Sequence, residues 1–220
     1  MSAAEPSPSG PERLAINRPA QAWILAAIAG SADAICLLLY DAFAGQMTGN
    51  TVLLAIDIVG AEWWSAAYHA SIIGLFVLGL LAATVAVRNG ISSAMVLVAS
   101  ALLVASAVLL PAATPALVVA AAMGLQNAAA RRFGSLTLNT VFITGDLQTM
   151  VGSLTDKETG PPAKMAGRAM AVLWACYLAG ALSGALLTRV TSYPLLVTAA
   201  AMVLVLLPSS GWWRQRVRAR

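Results

Sequence analysis

Charge is what this sequence has least of. Asp, Glu, Lys and Arg make up 10% of its 220 residues, against 60% hydrophobic residues. Soluble domains carry about a quarter charged residues, and a fold facing water cannot cover its surface with so few. That scarcity excludes an ordinary soluble domain and leaves lipid as the solvent for most of the chain. Histidine occurs once, as His69, and cysteine twice, as Cys36 and Cys176. One imidazole and two distant thiols build neither a familiar zinc site nor a CxxC pair, so no metal is expected. Both cysteines fall in apolar runs and read as small core residues. HExxH, GxSxG, the phosphate-binding GxxxxGK[ST] and the dinucleotide-binding GxGxxG are all missing. The expectation is a protein that is not an enzyme and carries no cofactor.

Apolar length is what the chain has in excess, with a mean hydropathy of +0.81. Six stretches approach the roughly 20 residues a helix needs to cross the hydrocarbon: 21–43, 66–87, 91–112, 115–133, 165–188 and 193–209. Thr114-Pro115 reads as a cap followed by proline in a first helical turn. Pro161-Pro162 ends a polar loop before the fifth stretch, and Tyr193-Pro194 opens the sixth. Residues 1–20, rich in Pro, Ser and Ala, read as a disordered cytoplasmic tail. Residues 21–209 read as the membrane domain and 210–220 as a basic cytoplasmic tail. Trp63-Trp64 and Trp212-Trp213 sit where indoles anchor at the headgroup layer. A cleaved leader competes for the first stretch, since Ala42-Phe43-Ala44 mimics a cleavage site, but the run is long and contains Asp33.

The basic residues orient the chain. With the amino terminus inside, every Lys and Arg of the 13 present except Arg189 falls in an inner segment, as the positive-inside rule requires. Both termini are then cytoplasmic. The formal charge of +4 is thus a topological signal, and no nucleic-acid partner is expected; the tail WWRQRVRAR suits anionic lipid.

Two connections are too polar to be plain loops. GQMTGNTVLLAIDIVG (45–60) follows the first stretch and LNTVFITGDLQTMVGSL (138–154) the fourth. Counting both as crossings gives eight spans and moves Arg88, Arg131, Arg132 and Arg189 outside. Six spans with two short re-entrant or interfacial helices fit the charges better. The halves also resemble each other. Gly30-Ser31-Ala32-Asp33-Ala34 matches Gly124-Leu125-Gln126-Asn127-Ala128, and Met47-Thr48-Gly49-Asn50 matches Ile143-Thr144-Gly145-Asp146. Three spans per half make the halves inverted, related by an axis in the membrane plane. The expected fold is therefore an all-α polytopic bundle of two inverted three-helix repeats, 21–112 and 115–209.

The phrases DA…MTGNTVLL and MGLQNAAARR…TVFITGDL resemble the signature of the YoaK family of bacterial multi-pass membrane proteins, a family of unknown function. The resemblance covers roughly residues 20–210. It implies a multi-pass fold in the bacterial inner membrane and names no substrate.

An intramembrane carboxylate is costly, so Asp33 reads either as a proton or cation site or as a hydrogen-bond partner of Asn127 or Gln126 across the repeat seam. Thr48, Gly49 and Asn50, with Thr144, Gly145 and Asp146, suit capped short helices whose N–H groups aim at an anionic group. Arg131 and Arg132 serve as inner-face anchors or line an inner vestibule. His69 reads as an interfacial polar residue, and Gly180-x-x-x-Gly184 as a packing face that would suit a homo-oligomer. The function these features suggest is a small-solute permease, its path lined by Asp33, Thr48, Asn50, Asn127, Thr144 and Asp146 and taking a small molecule or ion. The alternatives are an intramembrane enzyme acting on a lipid-like substrate through Asp33 or Asp146, and an accessory membrane protein that carries nothing.

Overall fold

A computed structural model describes residues 19–111, 113–130, 132–133, 136–137, 151–152 and 161–206. Helices form in all six expected stretches and in the first Thr-Gly connection. They are α1 (Pro19–Tyr40), α2 (Met47–Val59), α3 (Trp63–Arg88), α4 (Ser93–Ser106), α5 (Thr114–Ala129), α6 (Pro161–Val190) and α7 (Pro194–Leu206). Among the described residues three helices are long and apolar enough to cross a membrane: Ala20–Tyr40, Trp63–Arg88 and Gly167–Val190. The apolar helices Ser93–Leu109, Pro194–Val205 and Met47–Val59 are shorter.

Local chemistry sets most of the ends. Ser92, in an extended conformation, accepts the N–H of Met95 and caps α4. Pro115 lies in the first turn of α5, although Thr114 is already helical and the N-cap is Ala113. Pro161 and Pro194 open α6 and α7, where a missing N–H costs the helix nothing. Gly90 turns the chain between α3 and α4 at φ +87, a conformation that glycine adopts without a Cβ penalty. The fourth stretch is shorter than its sequence suggests. α5 stops at Ala129, Ala130 leaves the helical region, and the two-residue strands β1 (Arg132–Phe133) and β2 (Leu136–Thr137) pair antiparallel. In the sequence, Arg131-Arg132 end the apolar run at this point.

Side chains sort as they do in lipid. Leu38, Leu78, Leu102, Leu182 and Leu204 are exposed, while small and polar residues line the helix contacts. Lipid supplies no hydrophobic drive between helices, so contact depends on close packing of small residues. Two crossings use it. α1 packs along α6, where a Cβ on Gly30 would land on the Tyr177 carbonyl oxygen and one on Gly180 on that of Ala27. α3 packs along α5, where a Cβ on Gly79 would strike the Ala121 carbonyl and one on Gly124 that of Phe76. The face offered by Gly180 and Gly184 is therefore occupied within the chain, by Ala27 and Ser31 of α1.

These contacts also give direction. Ala27 meets Gly180 and Ser31 meets Gly184, so α1 and α6 run parallel. Gln21 donates to the Val205 carbonyl at 3.3 Å and Ser31 pairs with Thr198 at 3.2 Å, so α1 and α7 run antiparallel. α1 is the most enclosed of the three long helices, with α6, α7 and α5 packed against it.

Candidate functional site

The site begins with how the chain leaves α1. Asp41 turns it through the left-handed region at φ 54, which short polar side chains tolerate. The following residues run back beside α1. The N–H of Gly45 donates to Asp33 Oδ1 at 2.6 Å, and that of Gln46 to the same oxygen at 3.4 Å. Asp33 lies about two turns before Tyr40, so α2 starts roughly 10 Å below the end of α1. The anionic group at the head of this short helix is thus Asp33 itself, held where backbone N–H groups favour a carboxylate.

The other oxygen of Asp33 accepts the Tyr177 hydroxyl at 2.6 Å. Tyr177 in turn accepts from the Gln46 side-chain amide at 3.1 Å. Three donors converge on one buried side chain, and a carboxylate, an acceptor with about four lone-pair positions, suits them. No ion pair joins Asp33 to a basic side chain among the described residues, where the single such contact is His69–Asp57. The expected hydrogen bond from Asp33 to Asn127 or Gln126 does not form. Gln126 is buried and donates to the Leu25 carbonyl at 3.1 Å, leaving its Oε1 without a partner. Asn127 is buried near the end of α5.

The Thr-Gly-Asn motif works differently from a cap. Gln46 is the N-cap of α2 and makes no side-chain capping bond. Asn50 reaches back to bracket the Phe43 peptide, accepting its N–H at 2.9 Å and donating to its carbonyl at 2.8 Å. Gly49 leaves room for the Phe43 ring, which a Cβ would meet at 2.8 Å. Thr48 is exposed and joins none of these contacts. Asn50→Ala would strip both bonds from Phe43. It is expected to cost about 1–3 kcal/mol and to speed proteolysis between Asp41 and Met47; an unchanged digestion rate would refute the bracket.

At the other end of α2 a second cluster ties three segments together. His69 is buried, with Nδ1 2.6 Å from Asp57 Oδ2 on α2 and Nε2 3.0 Å from the Asp41 carbonyl. A carbonyl only accepts, so Nε2 carries hydrogen, and one further proton lies between Nδ1 and the carboxyl group. Tyr68 donates to the Tyr40 carbonyl at 2.9 Å. The last carbonyl of α1, and that of Asp41 just beyond it, are thereby satisfied by α3. His69→Phe and Asp57→Asn should each lower the melting temperature, and the double variant should lose less than the sum, with a coupling of about 1 kcal/mol or more. Strict additivity would show that the two residues act independently.

Sequence reasoning singled out Asp33, Gly49 and Asn50; Asp33 meets Gly45, Gln46 and Tyr177, whereas Gly49 and Asn50 meet Phe43, and Gln46, Tyr177 and the Asp57–His69 pair were missed. Tyr177 had one signal, its position one turn before Gly180 on the same packing face. Thr144, Gly145, Asp146 and Arg131 lie outside the described residues, as does the side chain of Arg132. A groove of ≈ 260 Å³ lies elsewhere, between α1, α6 and α7. Its three polar side chains are already engaged, Ser31 and Thr198 with each other and Ser183 with the Ala179 carbonyl, which leaves little for a polar solute.

A family model described as "Protein of unknown function (DUF1275)" matches residues 21–208, and the chain belongs to that family. No curated protein and no solved structure matches it. The apolar helices and the family together are those of a helical membrane protein of unknown function.

Proposed function

We propose that this DUF1275 member is a small-solute permease of the bacterial inner membrane, with six spans, both termini cytoplasmic and a path between two inverted three-helix repeats. The observation that carries the reading is the likeness of the two glycine crossings. Exchanging α1 with α5, α3 with α6 and α4 with α7 turns the α1–α6 contact into the α5–α3 contact. It turns the α4–α5 contact into α7–α1 and leaves the α1–α5 and α4–α7 contacts in place. Gly30 then answers to Gly124, Gly180 to Gly79, Ala27 to Ala121 and Tyr177 to Phe76, each pair striking the same backbone atom type. Asp33 answers to Asn127 by position. Parallel α1 and α6 with antiparallel α1 and α7 are what alternating crossings require. The phrases resembling the YoaK signature fall within the matched stretch and favour that narrower assignment.

A transport reading draws on the same geometry. A short helix that starts below the surface, against a polar residue of the first span, resembles the broken helices of transporters, whose termini meet solute between inverted repeats. Flux into proteoliposomes across a panel of small metabolites tests it. We expect at least one solute to enter with wild type and to enter far more slowly with Asp33→Asn and Asn127→Ala. Equal rates for all three proteins across the panel would remove the path. Cysteine labelling from intact cells tests the topology, and external labelling of the stretch holding Arg131 and Lys157 would overturn the six-span scheme.

A further inference from the structure

Resting on the permease reading, we propose that the species carried past Asp33 is a small cation of the ammonium class, and that the Tyr177 hydroxyl and the Gln46 amide stand in for it when the site is unloaded. The argument is one of donors and acceptors. Two of the bonds to Asp33 come from backbone N–H groups at Gly45 and Gln46. Those are fixed by the start of α2. The third comes from a side chain, Tyr177, steadied by the side chain of Gln46. These two side chains can swing, so Oδ2 is the position where an arriving donor replaces a resident one. An N–H-bearing cation offers both the charge and the directed hydrogens that a carboxylate accepts best.

An anion meets the opposite conditions. The N–H groups that would hold it at the head of α2 already serve Asp33, and it would have to approach a buried carboxylate of like sign. Among the basic residues whose side chains are described, Arg88, Arg168 and Arg189 are exposed and none pairs with Asp33. A second observation points the same way. Gln126 is fully buried at the α1–α5 contact, and because its amide nitrogen is committed to the Leu25 carbonyl, its oxygen is left as an acceptor with no donor. Buried acceptors are seldom left so, and Leu25 lies about two turns from Asp33 along α1. Asp33 on α1 and Gln126 on α5, beside Leu25, are therefore two acceptor stations along the α1–α5 contact. The other unpartnered buried side-chain atom among the described residues, Trp23 Nε1, is a donor on a half-buried ring near the start of α1.

The sign of the moving charge decides the matter. Proteoliposomes of the full chain on a solid-supported electrode are exposed to jumps of ammonium, methylammonium, sodium and potassium chloride, and separately of sodium acetate and phosphate. Ammonium or methylammonium should drive a positive displacement into the vesicle, absent for the anion jumps. Asp33→Asn should abolish it while eluting as a single species. Tyr177→Phe, which removes the resident donor and keeps the carboxylate, should lower the half-saturating concentration about tenfold. Should Asp33→Asn fail to fold, the Tyr177→Phe shift carries the test alone, and an unchanged half-saturating concentration overturns the proposal. Currents of opposite sign on anion jumps, or uptake of an uncharged solute without current, would overturn the cation assignment and leave the permease standing. Absence of both current and tracer uptake for every solute would remove the permease reading itself.

Discussion

Gly30→Leu and Gly124→Leu are expected to yield no folded protein, whereas Gly74→Ala should be accumulated and purified like wild type. The contrast is one of what a side chain would meet. At Gly30 and Gly124 the first added carbon already collides with a carbonyl oxygen of the neighbouring helix, Tyr177 in one case and Phe76 in the other. No choice of rotamer relieves that collision, because Cβ position is set by the backbone. The helices must separate, and separation forfeits the packing that holds helices together in lipid. Overpacking a well-filled contact costs about 1–3 kcal/mol and occasionally more; leucine at a backbone crossing belongs at the upper end, against a total stability of about 5–15 kcal/mol. Nothing lies within 4 Å of a Cβ on Gly74, and alanine there also favours the helix by about 1 kcal/mol. Fluorescence-detected size exclusion of detergent extracts reads the outcome directly. Normal monodisperse peaks for both leucine variants would mean that the two crossings are not as close as described.

The same two glycines show how far sequence reaches in such a protein. Gly30 and Gly124 each open a pattern shared by both halves, and the pattern alone points to a matched role. Helix positions were equally legible, because runs of apolar residues broken by Pro, Gly and Arg leave few choices in lipid. What each helix touches was not. Tyr177 and Asp33 are separated by 144 residues, and an apolar run carries no mark of its neighbour. The partners of Asp33 eluded a side-chain search for a further reason: two of them are backbone N–H groups, which every residue but proline possesses. In sequence Asn50 reads as a cap because capping is the commonest use of its side chain at a helix start. Here Gln46 precedes the helix and Asn50, one turn in, faces back to Phe43. In sequence His69 reads as an interfacial polar residue because Asp57 lies on a different helix, and only their packing brings the pair to 2.6 Å.

Asp33→Ala should be the most damaging polar substitution in the described chain, and its comparison with Asp33→Asn separates architecture from transport. Alanine leaves the N–H groups of Gly45 and Gln46 and the Tyr177 hydroxyl without an acceptor, in a site enclosed by α1, α2 and α6. An unsatisfied buried donor costs about 1–3 kcal/mol, and lipid offers no water in exchange. Asparagine keeps an oxygen in the place of Oδ1, so the two backbone bonds survive and the loss is confined to the Tyr177 side, where the hydroxyl can rotate. The expected order of thermal stability is wild type, then Asp33→Asn, then Asp33→Ala, the last melting about 10 °C or more below wild type. Cys36, buried in α1 one turn from Asp33, serves as the reporter, since a thiol-reactive dye reaches it only as the bundle opens. A Cys176→Ser background removes the half-buried second thiol. If Asp33→Ala melts with wild type, the carboxylate is not holding the head of α2, and the fold-back of residues 41–46 needs another cause. If both variants melt low while asparagine still carries solute, Asp33 is an architectural anchor alone and the cation must pass elsewhere.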